Sequence, residues 1–311
     1  MFKRFFKTVC SKIFLGGFYM TSREKNRVFN GAVAIITGGA SGIGAAFGRE
    51  LARWGCEVVL ADCQIDLAKE VVAEIRESGG KATAAELNIV DYCAVECLIY
   101  ETVKRTGRLD YMFNNAGITM SGPASVYKIE DWNNVIDVNL RGVIHGVQAA
   151  YGVMQKQGFG HIVNTASFAG LLAMPDKIGY TTTKHAIVGL SKVLRIEAAQ
   201  AGIRVSVLCP GYVQTPILDQ CGKYGKVLQE RSPEQVEKTR EMIKKFKPMS
   251  PDIFAAKALE AICRNEAIII IQWKYKFLWW LDRLFPALNL RLFQKKAAND
   301  FKQAEQRSIH T

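Results

Sequence analysis

Short apolar runs rich in β-branched residues recur along the middle of the chain, at 32–37, 57–61, 82–87, 111–114, 161–165, 204–208 and 267–271. Between them lie longer stretches whose apolar positions return at helical spacing, at 43–54, 66–77, 92–106, 132–157, 181–200 and 252–264. Strands buried on both faces read as near-continuous apolar runs, and helices alternating with such strands imply right-handed crossovers. The pattern therefore predicts an α/β fold built on a doubly wound parallel β-sheet. A long stretch at 212–250 breaks the alternation and exceeds ordinary loop lengths, which marks a lid or binding loop.

The chain has 311 residues, 49% of them hydrophobic and 23% charged, and this composition supports one large core. Collagenous, disulfide-scaffold and disordered classes are excluded. The eight cysteines form no C-x-x-C pair and have no histidine at finger spacing, so reduced, mostly buried thiols are expected and no metal site. His145, His161, His185 and His310 are scattered, which predicts structural or solvent roles.

Net charge is +12, and its location matters more than its size. Residues 1–27 carry +6, residues 223–247 carry +4 and residues 274–303 carry +5, so the remainder is slightly acidic. The division that follows is a basic amphipathic N-terminal segment (1–27), an α/β core domain (28–273) and a basic amphipathic C-terminal extension (274–311). No nucleic-acid-binding motif accompanies the basic patches, and no nucleic-acid partner is expected. The mixed signs of 223–247 predict a solvated helix.

Chemistry begins at Thr37-Gly38-Gly39-Ala40-Ser41-Gly42-Ile43-Gly44, directly after the first strand and opening the first helix. Glycines there let the backbone approach a pyrophosphate, and the helix N-terminus offers free N–H groups and a positive dipole. The Gly-Lys-Ser/Thr ending of a P-loop is missing, which argues against a nucleoside triphosphate. The second strand ends at Asp62, 24 residues after Gly38, where a carboxylate can hold the adenosine ribose and repel a 2′-phosphate. Neither Ser41 nor Cys63 supplies a compensating cation, so NAD is expected over NADP in a Rossmann-like domain.

Ser167 closes another strand, and Tyr180 and Lys184 follow it by 13 and 17 residues. Spacing of i, i+4 sets the phenol and the ammonium on one helix face. A free tyrosine titrates at about 10, and a nearby ammonium together with an oxidised nicotinamide favours the phenolate and lowers that value toward the range useful to a general acid/base. Ser167 can hold a substrate oxygen.

Gly38-x-x-x-Gly42-x-Gly44, Asn114-Asn115-Ala116-Gly117, Asn139, Ser167, Tyr180-x-x-x-Lys184 and Pro210-Gly211 resemble, in order and spacing, the short-chain dehydrogenase/reductase family, over about residues 28–270. The resemblance implies Tyr180 as general acid/base, Ser167 as carbonyl or alkoxide stabiliser and Lys184 as the cation that lowers the tyrosine and holds the nicotinamide ribose. It implies that Asn139 holds a water in the proton relay. Ser41, Ile43, Asn88 and Ile89 would also touch the cofactor. Asn115, Ala116 and Gly117 would line the adenosine side, and Pro210, Gly211, Val213 and Thr215 the nicotinamide half. Two departures stand out. Asn88 replaces the usual Asp after the third strand, and Gln272-Trp273-Lys274 replaces the usual Gly-Gly pair after the last, so the family's tetramer contact is not assumed.

The implied activity is NAD-dependent interconversion of a secondary alcohol and a ketone or aldehyde. Ala169, Leu171, Leu172, Met174, Tyr212 and Ile217 would make an apolar pocket for a lipophilic substrate, placing the protein in lipid metabolism or a related path. An alternative is a membrane-associated NAD-binding scaffold or redox sensor with little turnover. Phe2, Phe5, Phe6, Val9 and Ile13 interleave with Lys3, Arg4, Lys7 and Lys12, as in an interfacial anchor or a mitochondrial transit peptide. Phe277, Trp280, Leu281, Leu284, Phe285 and Leu288 fall near one face of the tail. That face suits a membrane surface, a core-docking or dimer helix, or a substrate lid. A cytoplasmic homodimer with peripheral membrane attachment is the expectation, with mitochondrial targeting left open.

Overall fold

A computed structural model describes residues 21–219, 224–230, 232–287 and 290–295. Its strands are β1 (Val33–Thr37), β2 (Glu57–Asp62), β3 (Lys81–Glu86), β4 (Tyr111–Asn114), β5 (Thr119–Ser121), β6 (Gly160–Thr165), β7 (Ile203–Leu208), β8 (Gly225–Val227) and β9 (Ile268–Ile269). Seven of them form one sheet in the order β3-β2-β1-β4-β6-β7-β9, with every pairing parallel.

Strand alternation divides the interior into two cores. Ala34, Ile36, Val58, Leu60 and Phe113 face helices Gly42–Arg53, Ile65–Glu77 and Pro251–Cys263. Ile35, Val59, Met112, Ile162 and Val205 face helices Tyr92–Thr106, Gly142–Gln157 and Ile178–Ala198. Phe47 of the first set stacks on Phe113 at 4.9 Å between ring centres, and both are fully buried. Burial of one such ring contributes about 1.5–3 kcal/mol. Helices on both faces of a parallel sheet make the fold doubly wound and Rossmann-like.

Three departures from the sequence pattern bear on the site. The helix expected over 132–157 is three pieces: Ile129–Ile136, a π-helical turn Asp137–Arg141 and Gly142–Gln157. Such turns carry an extra residue in the helix and re-aim a side chain, here that of buried Asn139. The stretch 212–250 is not irregular throughout. It contains β8, which pairs in parallel with β5, and helix Pro233–Lys245, started by reciprocal capping between Ser232 and Gln235 and burying no residue. Finally, helix Ser22–Phe29 precedes β1. Its Phe29 is fully buried against Tyr111 at 5.6 Å, and Lys25 meets Glu260 at 2.8 Å.

The amphipathic pattern at Phe2–Ile13 lies outside the described residues, as does Leu288. Of the tail residues expected on one apolar face, Phe277, Trp280, Leu281, Leu284 and Phe285 are all exposed. Helix Trp273–Leu284 instead docks through Tyr275 and Trp279. Among the described residues no helix is long and apolar enough to cross a membrane. The thiols also differ from expectation: Cys56 and Cys209 are buried, but Cys63, Cys93 and Cys97 are exposed. The last two sit on the solvent-facing side of Tyr92–Thr106.

Candidate active site

In an open parallel sheet the crevice forms where successive strands leave in opposite directions, here between β1 and β4. A cavity of about 820 Å³ opens there, over the C-terminal ends of the strands. The glycine-rich turn forms its floor. Gly38 has φ +66°, and a β-carbon on Gly44 would sit 2.0 Å from the Gly38 carbonyl oxygen. Gly44 therefore seats the helix on the turn and does not itself border the cavity. Thr37 Oγ1 accepts from the Asn115 and Ala116 N–H groups at 3.0 and 3.1 Å. Asn115 Nδ2 donates back to the Thr37 carbonyl at 3.1 Å, so two strand ends are laced together.

Asp62 ends β2 beside this turn and is 8% exposed. One carboxylate oxygen accepts from the Ala40 N–H at 3.1 Å and the other from the Gln64 N–H at 3.0 Å. Its neighbours at the cavity wall, Ala61, Cys63 and Gln64, bring no positive charge. Asn88 is exposed at the rim, its Oδ1 accepting from the Val90 N–H at 3.1 Å.

At the other end Ser167, Tyr180 and Lys184 converge. Ser167 follows β6 and its Oγ accepts from the Ala169 N–H at 3.1 Å. Helix Ile178–Ala198 carries Tyr180 and Lys184 one turn apart on the face toward the sheet. Lys184 is 3% exposed and donates to the Thr165 carbonyl at 2.9 Å. Its Nζ lies 5.5 Å from the Tyr180 ring centre. Burial brings Lys184 down to about 8, a pull partly countered by the Cys209 thiol. Burial raises Tyr180, and its side-chain hydrogen bond with Ser167 pulls it back. The sequence pattern points to a lowered value beside Lys184 and an oxidised nicotinamide, and burial of the phenol acts in the opposite direction.

Asn139 is buried and lies behind the cavity wall. Its Oδ1 accepts from the Ile118 N–H at 2.8 Å, and its Nδ2 donates to the Ile118 carbonyl at 2.9 Å. The side chain thereby fixes the chain just after the Asn115-Ala116-Gly117 turn.

Every other residue expected to act in catalysis or hold the cofactor borders the cavity. Of the expected apolar walls, Ala169, Met174, Tyr212 and Ile217 border it. Leu171 and Leu172 do not: Leu171 packs against the second core, and Leu172 is 6% exposed within the fold. Sequence reading missed Met120, Phe168, Tyr224 and Tyr275 on the wall, and Lys177 and Lys226 with them. Met120 and Lys226 arrive through the three-residue β5–β8 pairing, which is too short to leave a periodic signal. Phe168 could have been found as the residue following Ser167.

The family model described as short chain dehydrogenase matches residues 32–224. Cyclohexanol dehydrogenase of Acinetobacter sp. strain SE19 is 39% identical over 191 residues, covering 61% of this chain and 76% of that protein. A 2,5-dichloro-2,5-cyclohexadiene-1,4-diol dehydrogenase of Sphingobium indicum is 38% identical over 187 residues, 60% of this chain and 75% of the relative. The crystal structure of a short-chain dehydrogenase/reductase from Burkholderia phymatum in complex with NAD superposes with a TM-score of 0.76 at 30% identity, over 84% of this chain and 95% of that one. Levodione reductase superposes with a TM-score of 0.70 at 27% identity, over 78% and 97% of the two chains. Sheet order, cavity and matched sequence agree, and the chain belongs to the short-chain dehydrogenase/reductase family, as an oxidoreductase acting on CH–OH groups.

Proposed function

We propose that the protein is an NAD-preferring dehydrogenase or reductase that interconverts a secondary alcohol and its ketone on a lipophilic substrate, with Tyr180 as the general acid/base. The observation that carries this is the joining, in one cavity, of Asp62, held by two backbone N–H groups, at one end and the Ser167–Tyr180–Lys184 cluster at the other.

The residues present fit a dinucleotide. The close approach of Gly38 and Gly44 leaves no β-carbon in the cradle at the helix N-terminus, which suits a pyrophosphate. Asp62 presents an anion where a ribose would lie, and a 2′-phosphate there would meet like charge. When bound, the nicotinamide group supplies the hydride donor or acceptor. The chain's own residues supply the rest. Ser167 holds the substrate oxygen, Tyr180 exchanges the proton at that oxygen, and the Lys184 charge favours the phenolate once alcohol is to be deprotonated.

Met120, Met174, Phe168, Ile217 and Tyr212 give the substrate end an apolar wall, which supports a lipophilic substrate. The names of the two bacterial relatives, both dehydrogenases of six-membered-ring alcohols, support a cyclic one. The exposed Trp273, Phe277, Leu284 and Phe285, with Lys276 and Arg283 among them, support peripheral attachment to an anionic membrane surface, and we read the protein as a cytoplasmic homodimer. Vesicle flotation and light scattering read those two points.

The test is nicotinamide absorbance during turnover of lipophilic alcohols and ketones, with NAD and NADP side by side and Tyr180→Phe as control. Activity with NAD that vanishes in Tyr180→Phe is the expected result. A preference for NADP would remove the role given to Asp62. Cofactor binding with no turnover across the panel would instead favour an NAD-binding scaffold.

A further inference from the structure

Helix Trp273–Leu284 follows the last strand, and its residues 275, 279 and 283 share one face. Along that face Tyr275 is 3% exposed, Trp279 packs against the second core, and the Arg283 guanidinium lies 5.4 Å from the Trp279 ring centre. The helix therefore seats itself by a single fully buried aromatic.

That aromatic enters the candidate active site. A β-carbon on Gly211 would come within 2.1–2.5 Å of three Tyr275 ring atoms, so the ring occupies the space a side chain at 211 would take. Its ring centre is 4.8 Å from that of Phe168, the residue after Ser167. Its hydroxyl oxygen accepts from the Tyr212 N–H at 3.3 Å. One turn earlier Gln272 Nε2 donates to the Tyr212 carbonyl at 3.1 Å, and Lys274 Nζ donates to the Phe246 carbonyl. Phe246 in turn packs on Tyr212 at 5.2 Å. The start of the 212–250 segment and its far end are thus both held by three side chains, Gln272, Lys274 and Tyr275, from one short stretch, and Tyr275 borders the cavity itself.

We propose that Tyr275 is a specificity-determining wall of the substrate end, limiting the bulk that can be accommodated beside Ser167 and Tyr180. The proposal rests on the assignment of this cavity as the active site. A ring pinned between Gly211, Phe168 and Phe246 cannot swing aside without breaking packing on both neighbouring turns, so it excludes by shape. Single-ring secondary alcohols fit in front of it, and fused-ring alcohols meet it. One extra or missing methylene in such a pocket is worth roughly 10–200-fold in kcat/KM.

The experiment measures kcat/KM for cyclohexanol and for 2-decalol, at saturating NAD, in wild type, Tyr275→Phe, Tyr275→Leu and Tyr275→Ala. The ratio of two substrates in one preparation cancels differences in active fraction and stability. The expected result is a ratio moved at least about tenfold toward decalol in Tyr275→Ala and part of the way in Tyr275→Leu, with Tyr275→Phe near wild type. If Tyr275→Ala fails to fold, Tyr275→Leu carries the test. Activity with an unmoved ratio overturns this proposal alone. Equal shifts in Tyr275→Phe and Tyr275→Leu overturn it too, since they would point to the hydroxyl bond and not to bulk. A wild type that oxidises neither alcohol overturns the substrate assignment beneath it.

Discussion

The Lys184 ammonium lies 5.5 Å from the centre of the Tyr180 ring while donating to the Thr165 carbonyl at 2.9 Å. The carbonyl belongs to the end of β6, so the strand that delivers Ser167 also aims the lysine. In the proposed mechanism the lysine acts on the phenol through its charge, and that charge is titratable because burial has brought the lysine down to about 8.

Removing that charge with Lys184→Met should lower alcohol oxidation near neutrality by roughly 10²–10⁴-fold. The sign of the pH dependence follows from the same group. The lysine charge that favours the phenolate is present below about 8 and lost above it, so the wild-type rate should bend over on the alkaline side. In Lys184→Met the rate should keep climbing with tyrosine ionisation and show no such bend. Initial rates across about pH 6 to 10 separate the two shapes. Superimposable profiles would remove Lys184 from the mechanism.

Asp62 accepts two backbone N–H bonds at 3.0 and 3.1 Å, so its carboxylate is positioned by the turns on either side of it. Asp62→Asn keeps an acceptor there and removes the charge. A hydrogen bond to a charged group is worth about 1.5–3 kcal/mol, which predicts a KM for NAD raised roughly 10- to 100-fold. Pairing that change with Cys63→Arg should move the preference toward NADP. Fluorescence titration with both nucleotides checks the ratio, and an unchanged ratio in the double variant would argue that the ribose lies elsewhere.

Much of this is legible in the sequence itself. All seven strands of the main sheet, and the clusters at Gly38–Gly44 and Ser167–Lys184, leave local signals in residue type and spacing. What escaped were features created by tertiary contact. Three-residue β5 and β8 have no period to read, and only their pairing puts Met120 and Lys226 on the cavity wall. The π-helical turn at Asp137–Arg141 leaves the apolar rhythm of 132–157 nearly intact, yet it decides that Asn139 grips Ile118. Tyr275 sits among residues whose mixed charge and apolarity suggest a surface helix, and most of its neighbours along that helix are indeed exposed. Its burial depends on the bare Cα of Gly211, 64 residues away in the chain.

Gly44 offers a direct check of the cradle. Alanine there would place its β-carbon 2.0 Å from the Gly38 carbonyl oxygen, which is backbone and cannot rotate away. The turn or the helix must shift, at a cost of about 3 kcal/mol or more. Gly44→Ala should therefore lose both urea resistance and NAD affinity. A variant with wild-type stability would show that the turn is looser than this geometry requires.

His161 should make the fold sensitive to mild acid. Its ring lies flat against Tyr111, 6.0 Å between centres, and its Nε2 is 2.9 Å from Ser206 Oγ. The Ser206 hydroxyl donates to the Glu266 carbonyl at 2.6 Å, so it accepts from Nε2–H, leaving Nδ1 bare and the ring neutral. Burial, with the Arg204 and Arg195 cations adding to it, pushes the imidazole down to about 3. The unfolded chain takes up this proton below about 6.5, whereas the folded chain does not until about 3. Between those values the unfolded state binds more protons, so stability falls as pH falls, by up to about 1.4 kcal/mol per unit. His161→Gln retains a neutral donor toward Ser206 and removes the titration. Urea denaturation at about pH 7 and pH 5 should show wild type losing roughly 2 kcal/mol more than the variant over that interval. Parallel losses in the two proteins would mean that carboxylate titration, and not this histidine, governs the acid limb.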